Sequence, residues 1–139
     1  MPKLGVHALV WVGGWSEAEA TTAIESSADL GYDFIEIPLL DPWGVDVAMT
    51  AKLLESAGLA ATASLGLSAE SDISSEDPET VRCGSDLLHQ ALSVTRDMGG
   101  THLCGVIHCA MMKYMAPATE RGRANSIEVL SRLADEAGR

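Results

Sequence analysis

Positive charge is scarce in this sequence. Nine Lys and Arg stand against 20 Asp and Glu, a net charge of -11 over 139 residues. That balance argues against nucleic acid and anionic membranes as partners, because both demand basic patches. Long apolar runs are missing too, and none nears the roughly 18 residues that span a bilayer. Residues 1–15 lack the cationic start and apolar block of a secretory signal, so the expected location is the cytoplasm. Cysteine is sparse, with Cys83, Cys104 and Cys109 and no CxxC pair. An odd count of this kind fits reduced thiols better than a disulfide framework. No G-x-G-x-x-G and no P-loop occurs, and "VGGW" is too short to cradle a phosphate.

What is present is a packed, repetitive chain. Hydrophobic residues make up 47%, enough for a real core, and one domain is expected over residues 1–139. A helix–Gly–strand unit recurs in "SSADLGYDFIEIPL", "LLESAGLAATASLGL" and "SVTRDMGGTHLCGVI". Gly31, Gly58 and Gly99 each fall where a helix needs a residue at positive φ to stop. The strands read as near-continuous apolar runs, the pattern of strands buried on both faces.

Start signals support the helices. Ser16 and Glu19 form an S-x-x-E capping box, Asp46 and Asp77 stand at cap positions, and Pro117 suits a fourth helix start. Apolar residues recur at helical spacing as Ala20, Ile24, Ala28, then Val81, Leu88, Leu92, then Ile127, Leu130, Ala134. The expected order is strand 4–11, helix 17–30, strand 33–38, helix 47–57, strand 59–65, helix 78–98, strand 101–107 and helix 118–137.

Four βα units with right-handed crossovers give a parallel sheet. Eight would approach the roughly 250 residues of a closed (β/α)₈ barrel. "LADEAGR" repeats the helix-then-glycine signal at Gly138, where a fifth strand is expected to begin. The fold class expected is α/β, a (βα)₄ half of a TIM barrel. A four-stranded doubly wound domain is the competing arrangement.

In parallel βα folds, chemistry gathers beyond the carboxyl ends of the strands. The first strand offers His7, which is either a hydrogen-bonded core histidine or a ligand contact. Trp11 reads as packing. Trp15 follows Gly13 and Gly14 and precedes the Ser16 cap, so it belongs on a loop and can wall a pocket. Glu36 in "FIEI" is a carboxylate in an apolar run, costly unless it is paired with a cation or functional. Gly66 and Gly105 either admit a close backbone approach or relieve crowding. His108 and Cys109 are strand neighbours pointing to opposite faces, which excludes a nucleophile pair. The scattered histidines offer no metal site, and no residue is assigned a catalytic role.

Taken together, "GVHALVW" opening into "GGW", "FIEIPLLDP", "SLGLSAESDISSEDPE" and "GVIHCAMMKYMAPAT" resemble the ketose 3-epimerase family, of the D-tagatose/D-psicose/L-ribulose 3-epimerase type. The likeness spans the whole sequence but only the first half of the family's length. It implies a xylose-isomerase-like (β/α)₈ barrel in which carboxylates move a proton at C3 of a free ketose through an enediolate. It also implies a divalent cation, commonly manganese, acting as a Lewis acid. The family's metal ligands come from strands five to eight, so no metal is expected on this chain. What carries over is the sugar-pocket wall: His7, Trp15, Ser64, Val106 and Met111. Two functions follow as expectations. One is the amino-terminal half of a metal-dependent ketose 3-epimerase, inactive alone. The other is a non-catalytic half-barrel that self-associates as a homodimer or binds a partner. An endonuclease-like relative is disfavoured by the acidic charge.

Overall fold

The computed structural model describes residues 2–113 and 117–138. Strands and helices alternate: β1 Gly5–His7, α1 Glu17–Asp29, β2 Phe34–Pro38, α2 Val47–Ala57, β3 Ala60–Leu67, α3 Pro78–Asp97, β4 Leu103–Ala110 and α4 Glu120–Ala137. The sheet has the order β1-β2-β3-β4. β1 pairs with β2 in parallel through His7 and Glu36, and β2 with β3 through Glu36 and Thr62. This is the (βα)₄ arrangement of half a TIM barrel, with each strand beside its sequence neighbour.

Local chemistry sets the boundaries. Ser16 and Glu19 close a capping box at the start of α1. Asp46 Oδ1 accepts the Met49 N–H at 2.9 Å, and Asp77 Oδ2 accepts the Thr80 N–H at 3.1 Å. Gly31, Gly58 and Gly99 have φ of 79°, 63° and 83°, the left-handed region that ends a helix at low cost only for glycine. Gly138 departs from this pattern, since α4 ends there with φ -82°.

Two element boundaries and one helix face are also corrected. The first strand ends at His7 rather than running to Trp11, because Ala8–Val10 form a 3₁₀ turn. The His7 ring caps that turn by accepting the Leu9 N–H at 3.1 Å. α4 starts at Glu120, capped by Thr119, whose Oγ1 accepts the Gly122 N–H at 3.0 Å, so Pro117 precedes the helix. Its buried stripe is Gly122, Ser126, Val129 and Leu133, not Ile127, Leu130 and Ala134. Polar anchors explain that rotation: Ser126 Oγ donates to the His108 carbonyl at 2.7 Å and Asn125 to the Ser75 carbonyl at 2.8 Å. Ile127 is left 67% exposed.

The described residues form two compact units: Met1–Ser64 with Ser93–Cys104, and Leu65–Leu92 with Gly105–Arg139. In the first, Ile35, Ile37, Ala61 and Ala63 are buried, as are Ala20, Ala23 and Ile24 of α1. Burying an aliphatic side chain such as Ile37 contributes about 1.5–3 kcal/mol. The alternate strand positions are half-buried and polar, namely Glu36, Thr62 and Ser64. The strands therefore alternate by face, where the sequence reads as buried on both.

In the second unit, Leu67, Ile73, Leu88 and Ala91 form the core. Gly105 has φ 115°, and a Cβ there would lie 2.1 Å from the Leu65 carbonyl oxygen. Glycine at that point is demanded by close backbone approach.

Candidate functional site

The polar face of the first unit is built by strand register. His7, Glu36 and Thr62 are register partners on β1, β2 and β3, and Ser64 pairs with Pro38 two residues on. Residues two apart on a strand share a face, so Glu36 and Ser64 converge on His7. His7 Nε2 lies 3.3 Å from Ser64 Oγ and 3.4 Å from Glu36 Oε1. On the other side of the carboxylate, Cys104 Sγ is 3.8 Å from Glu36 Oε2 and 3.4 Å from the Ala63 carbonyl. Partial burial pushes the Cys104 thiol above its ordinary range, and the negative charge of Glu36 and its hydrogen bond add to the shift. Thr62 Oγ1 is buried here without a hydrogen-bond partner.

Glu36 thus has no Lys or Arg against it among the described residues, and its neighbours are an imidazole and a thiol. Sequence reasoning left Glu36 open between a cation partner and a function. It missed Cys104, whose β4 position gave no signal until the register was known.

Trp15 lies on the loop after the 3₁₀ turn and is half-buried. Its indole N–H donates to Thr50 Oγ1 on α2 at 3.0 Å. It lines a depression of about 310 Å³ with Pro38, Leu40, Asp41 and Val45. Trp11 instead donates to Ser27 Oγ of α1 at 3.1 Å, a packing role.

The second unit holds the other two expected wall residues. Val106 is half-buried in β4. Met111 follows the end of β4, donates its N–H to the Leu67 carbonyl at 2.8 Å, and lies over Gly66, where a Cβ would be 2.0 Å from its sulfur. Gly66 therefore makes room for a side chain, and Met111 still remains 52% exposed. The same unit contains a carboxylate of a different kind. Asp72 is 5% exposed and accepts from Ser74 N–H at 2.9 Å, Ser74 Oγ at 2.7 Å, Ala110 N–H at 3.1 Å and Lys113 Nζ at 2.5 Å. Burial alone would raise its pKa, yet the Lys113 and Ser74 hydrogen bonds outweigh that and hold it below the ordinary range. Residues 114 and 115 of the "MMKYM" run, and residue 116 after it, lie outside the described residues.

The cation implied by the family likeness needs at least three converging donors. Among the described residues no three His, Cys, Asp or Glu side chains do so. His7 and Glu36 supply two, and the remaining neighbours, the Ser64 hydroxyl and the Cys104 thiol, are poor ligands for a hard cation. This donor set does not fit the ion.

Comparison with known proteins places the chain. Over 135 residues it is 54% identical to the L-ribulose 3-epimerase of Methylomonas sp. (strain DH-1), covering 97% of this chain and 47% of that protein. The chain belongs to the ketose 3-epimerase family. A ketose 3-epimerase of Arthrobacter globiformis is 45% identical over 135 residues, again 97% of this chain and 47% of the relative. The crystal structure of a D-allulose 3-epimerase from Methylomonas sp. in complex with D-allulose matches with a TM-score of 0.92 and 53% identity, covering 98% of this chain and 48% of that one. The chain thus spans about half the length of the ketose 3-epimerases it matches, consistent with the amino-terminal half. No family model matches it. No helix among the described residues is long and apolar enough to cross a membrane.

Proposed function

We propose that this chain supplies the amino-terminal half of a metal-dependent ketose 3-epimerase or close isomerase. In this reading its part is the sugar-facing wall, made by His7, Trp15, Ser64, Val106 and Met111. The observation that carries it is the His7–Ser64 hydrogen bond beside Glu36 on the polar sheet face, in a sequence more than half identical to a 3-epimerase.

The reaction breaks the C3–H bond of a free ketose. The electron pair passes onto the C2 carbonyl oxygen as an enediolate, and a proton returns to the opposite face of C3. This needs two carboxylates facing the same carbon. Glu36 is occupied by His7 and Cys104, and Asp72 by four donors, so neither is free for that task. Residues 1–139 alone therefore bind sugar without epimerising it, and work in the cytoplasm as one half-barrel domain. Exposed Leu9, Val10, Leu40 and Trp43, and unpaired backbone on edge strands β1 and β4, support self-association as a homodimer.

The binding test is a titration of isotope-labelled protein with D-allulose. Signals of His7, Trp15 and Ser64 should shift together and saturate. Shifts confined to other surfaces, or none at millimolar sugar, would remove this reading.

A further inference from the structure

The two nitrogens of His7 do different work. Nδ1 accepts the Leu9 N–H at 3.1 Å, so its lone pair is engaged. A neutral ring bonded in this way carries its proton on Nε2, an assignment made from the hydrogen-bond pattern. Nε2 then has no lone pair to offer Ser64, 3.3 Å away. The bond runs one way, with Nε2–H donating and Ser64 Oγ accepting. The Ser64 hydroxyl proton is left free to donate to another acceptor. Glu36 Oε1, 3.4 Å from the same Nε2, adds a negative charge where the proton sits. The carboxylate favours this tautomer over the other.

We propose that Glu36 is a positioning residue: by fixing the proton of His7 on Nε2, it turns the Ser64 hydroxyl into a hydrogen-bond donor aimed at a ligand oxygen. The ligand-facing half of this rests on the sugar-wall reading above. The half concerning Glu36 and His7 stands on the geometry of the chain alone. Glu36 touches no substrate in this account and acts through His7. It also explains why a carboxylate stands half-buried with no Lys or Arg beside it: its partner is a ring whose tautomer matters. A free hydroxyl donor suits a neutral polyhydroxy ligand, which presents oxygen lone pairs in every direction.

The test reads the ring nitrogens of His7 by nitrogen-15 NMR in the full chain, without ligand. The wild type should show an unprotonated Nδ1 and a protonated Nε2. A wild type with the proton on Nδ1 overturns the proposal before any variant is made. Glu36→Leu should speed exchange of the Nε2 proton with water about tenfold or more and populate the other tautomer, the scale of about 1.4 kcal/mol. Glu36→Gln, which keeps an acceptor oxygen without the charge, should fall between the two and guards against a misfolded Leu variant. Unchanged exchange and tautomer in both folded variants would overturn the positioning role. Ser64→Ala should weaken D-allulose binding about tenfold, and Ser64→Thr, which keeps the donor, should restore most of it. If the Glu36 variants behave as expected but D-allulose perturbs neither His7 nor Ser64 in the wild type, the sugar-wall reading fails and the Glu36–His7 relation stands.

Discussion

Glu36 and Asp72 are both carboxylates held by the folded chain, one in each compact unit, and the protein treats them in opposite ways. Asp72 is nearly buried and receives four hydrogen bonds, one of them from Lys113. Oδ1 accepts three of these bonds and Oδ2 the fourth, and the group ties the segment after β3 to the end of β4. Glu36 is half-buried and meets only a histidine and a thiol. A saturated carboxylate is a fastening. A carboxylate with fewer donors, beside a histidine and a hydroxyl, is the one we place behind the proposed sugar wall. The difference teaches that acidity in a sequence says little about role until its donors have been counted.

That contrast is breakable. The largest effect belongs to the second unit's backbone: Gly105→Ala should cost more than about 3 kcal/mol, because the new Cβ meets the Leu65 carbonyl at a φ that L-residues avoid. Thermal or urea unfolding would measure it, and a neutral result would mean β3 and β4 can separate cheaply. Asp72→Ala should cost about 2–3 kcal/mol, by stranding the Ser74 and Ala110 N–H donors and leaving the Lys113 ammonium with only the Ser74 oxygens. Glu36→Gln, in contrast, should change stability by less than about 0.5 kcal/mol. Equal losses at the two sites in urea unfolding would erase the distinction drawn above.

The pH dependence follows from Asp72. Its folded pKa is depressed, so its contribution is fully present above the unfolded carboxylate value of about 4 and is lost as pH falls below that through the folded value. Urea midpoints between pH 6 and pH 3 should therefore fall less steeply in Asp72→Asn than in the wild type. A smaller effect reports on Glu36. Its charge helps raise the Cys104 thiol, so Glu36→Gln should speed alkylation of Cys104 at pH 8 by roughly threefold. Cys83, on α3, serves as the internal reference, and its rate should not change.

Much of the fold was legible because punctuation is chemical. The capping box at Ser16 and Glu19, the Asp46 and Asp77 caps, and the left-handed glycines 31, 58 and 99 all stand where local sequence placed them. What failed did so where side chains override pattern. Nothing in "GVHALVW" announces that His7 folds back to cap a 3₁₀ turn, so the apolar pattern reads as a longer strand than the one that forms. The apolar spacing points to the wrong face of α4 because Ser126 and Gly122, not the larger Ile127, decide which side is buried. At the site, His7 is legible as a histidine in an apolar strand, and its place in the sugar wall with Ser64 comes from the family likeness. Their bond to each other, and the place of Glu36 and Cys104 beside them, depends on strand register that no single strand reveals. Asp72 gives no signal in the sequence because two of its donors, Ala110 and Lys113, lie about 40 residues away.

The central claim is that this chain carries a sugar-facing wall of a ketose 3-epimerase without the proton-transfer set. The direct measurement incubates the purified 139-residue protein with Mn²⁺ and D-allulose or D-tagatose and follows the C3 epimer by chromatography. The account predicts that no epimer accumulates above the protein-free control. Turnover at about 1 per second or faster, within the usual enzymatic range, would contradict it.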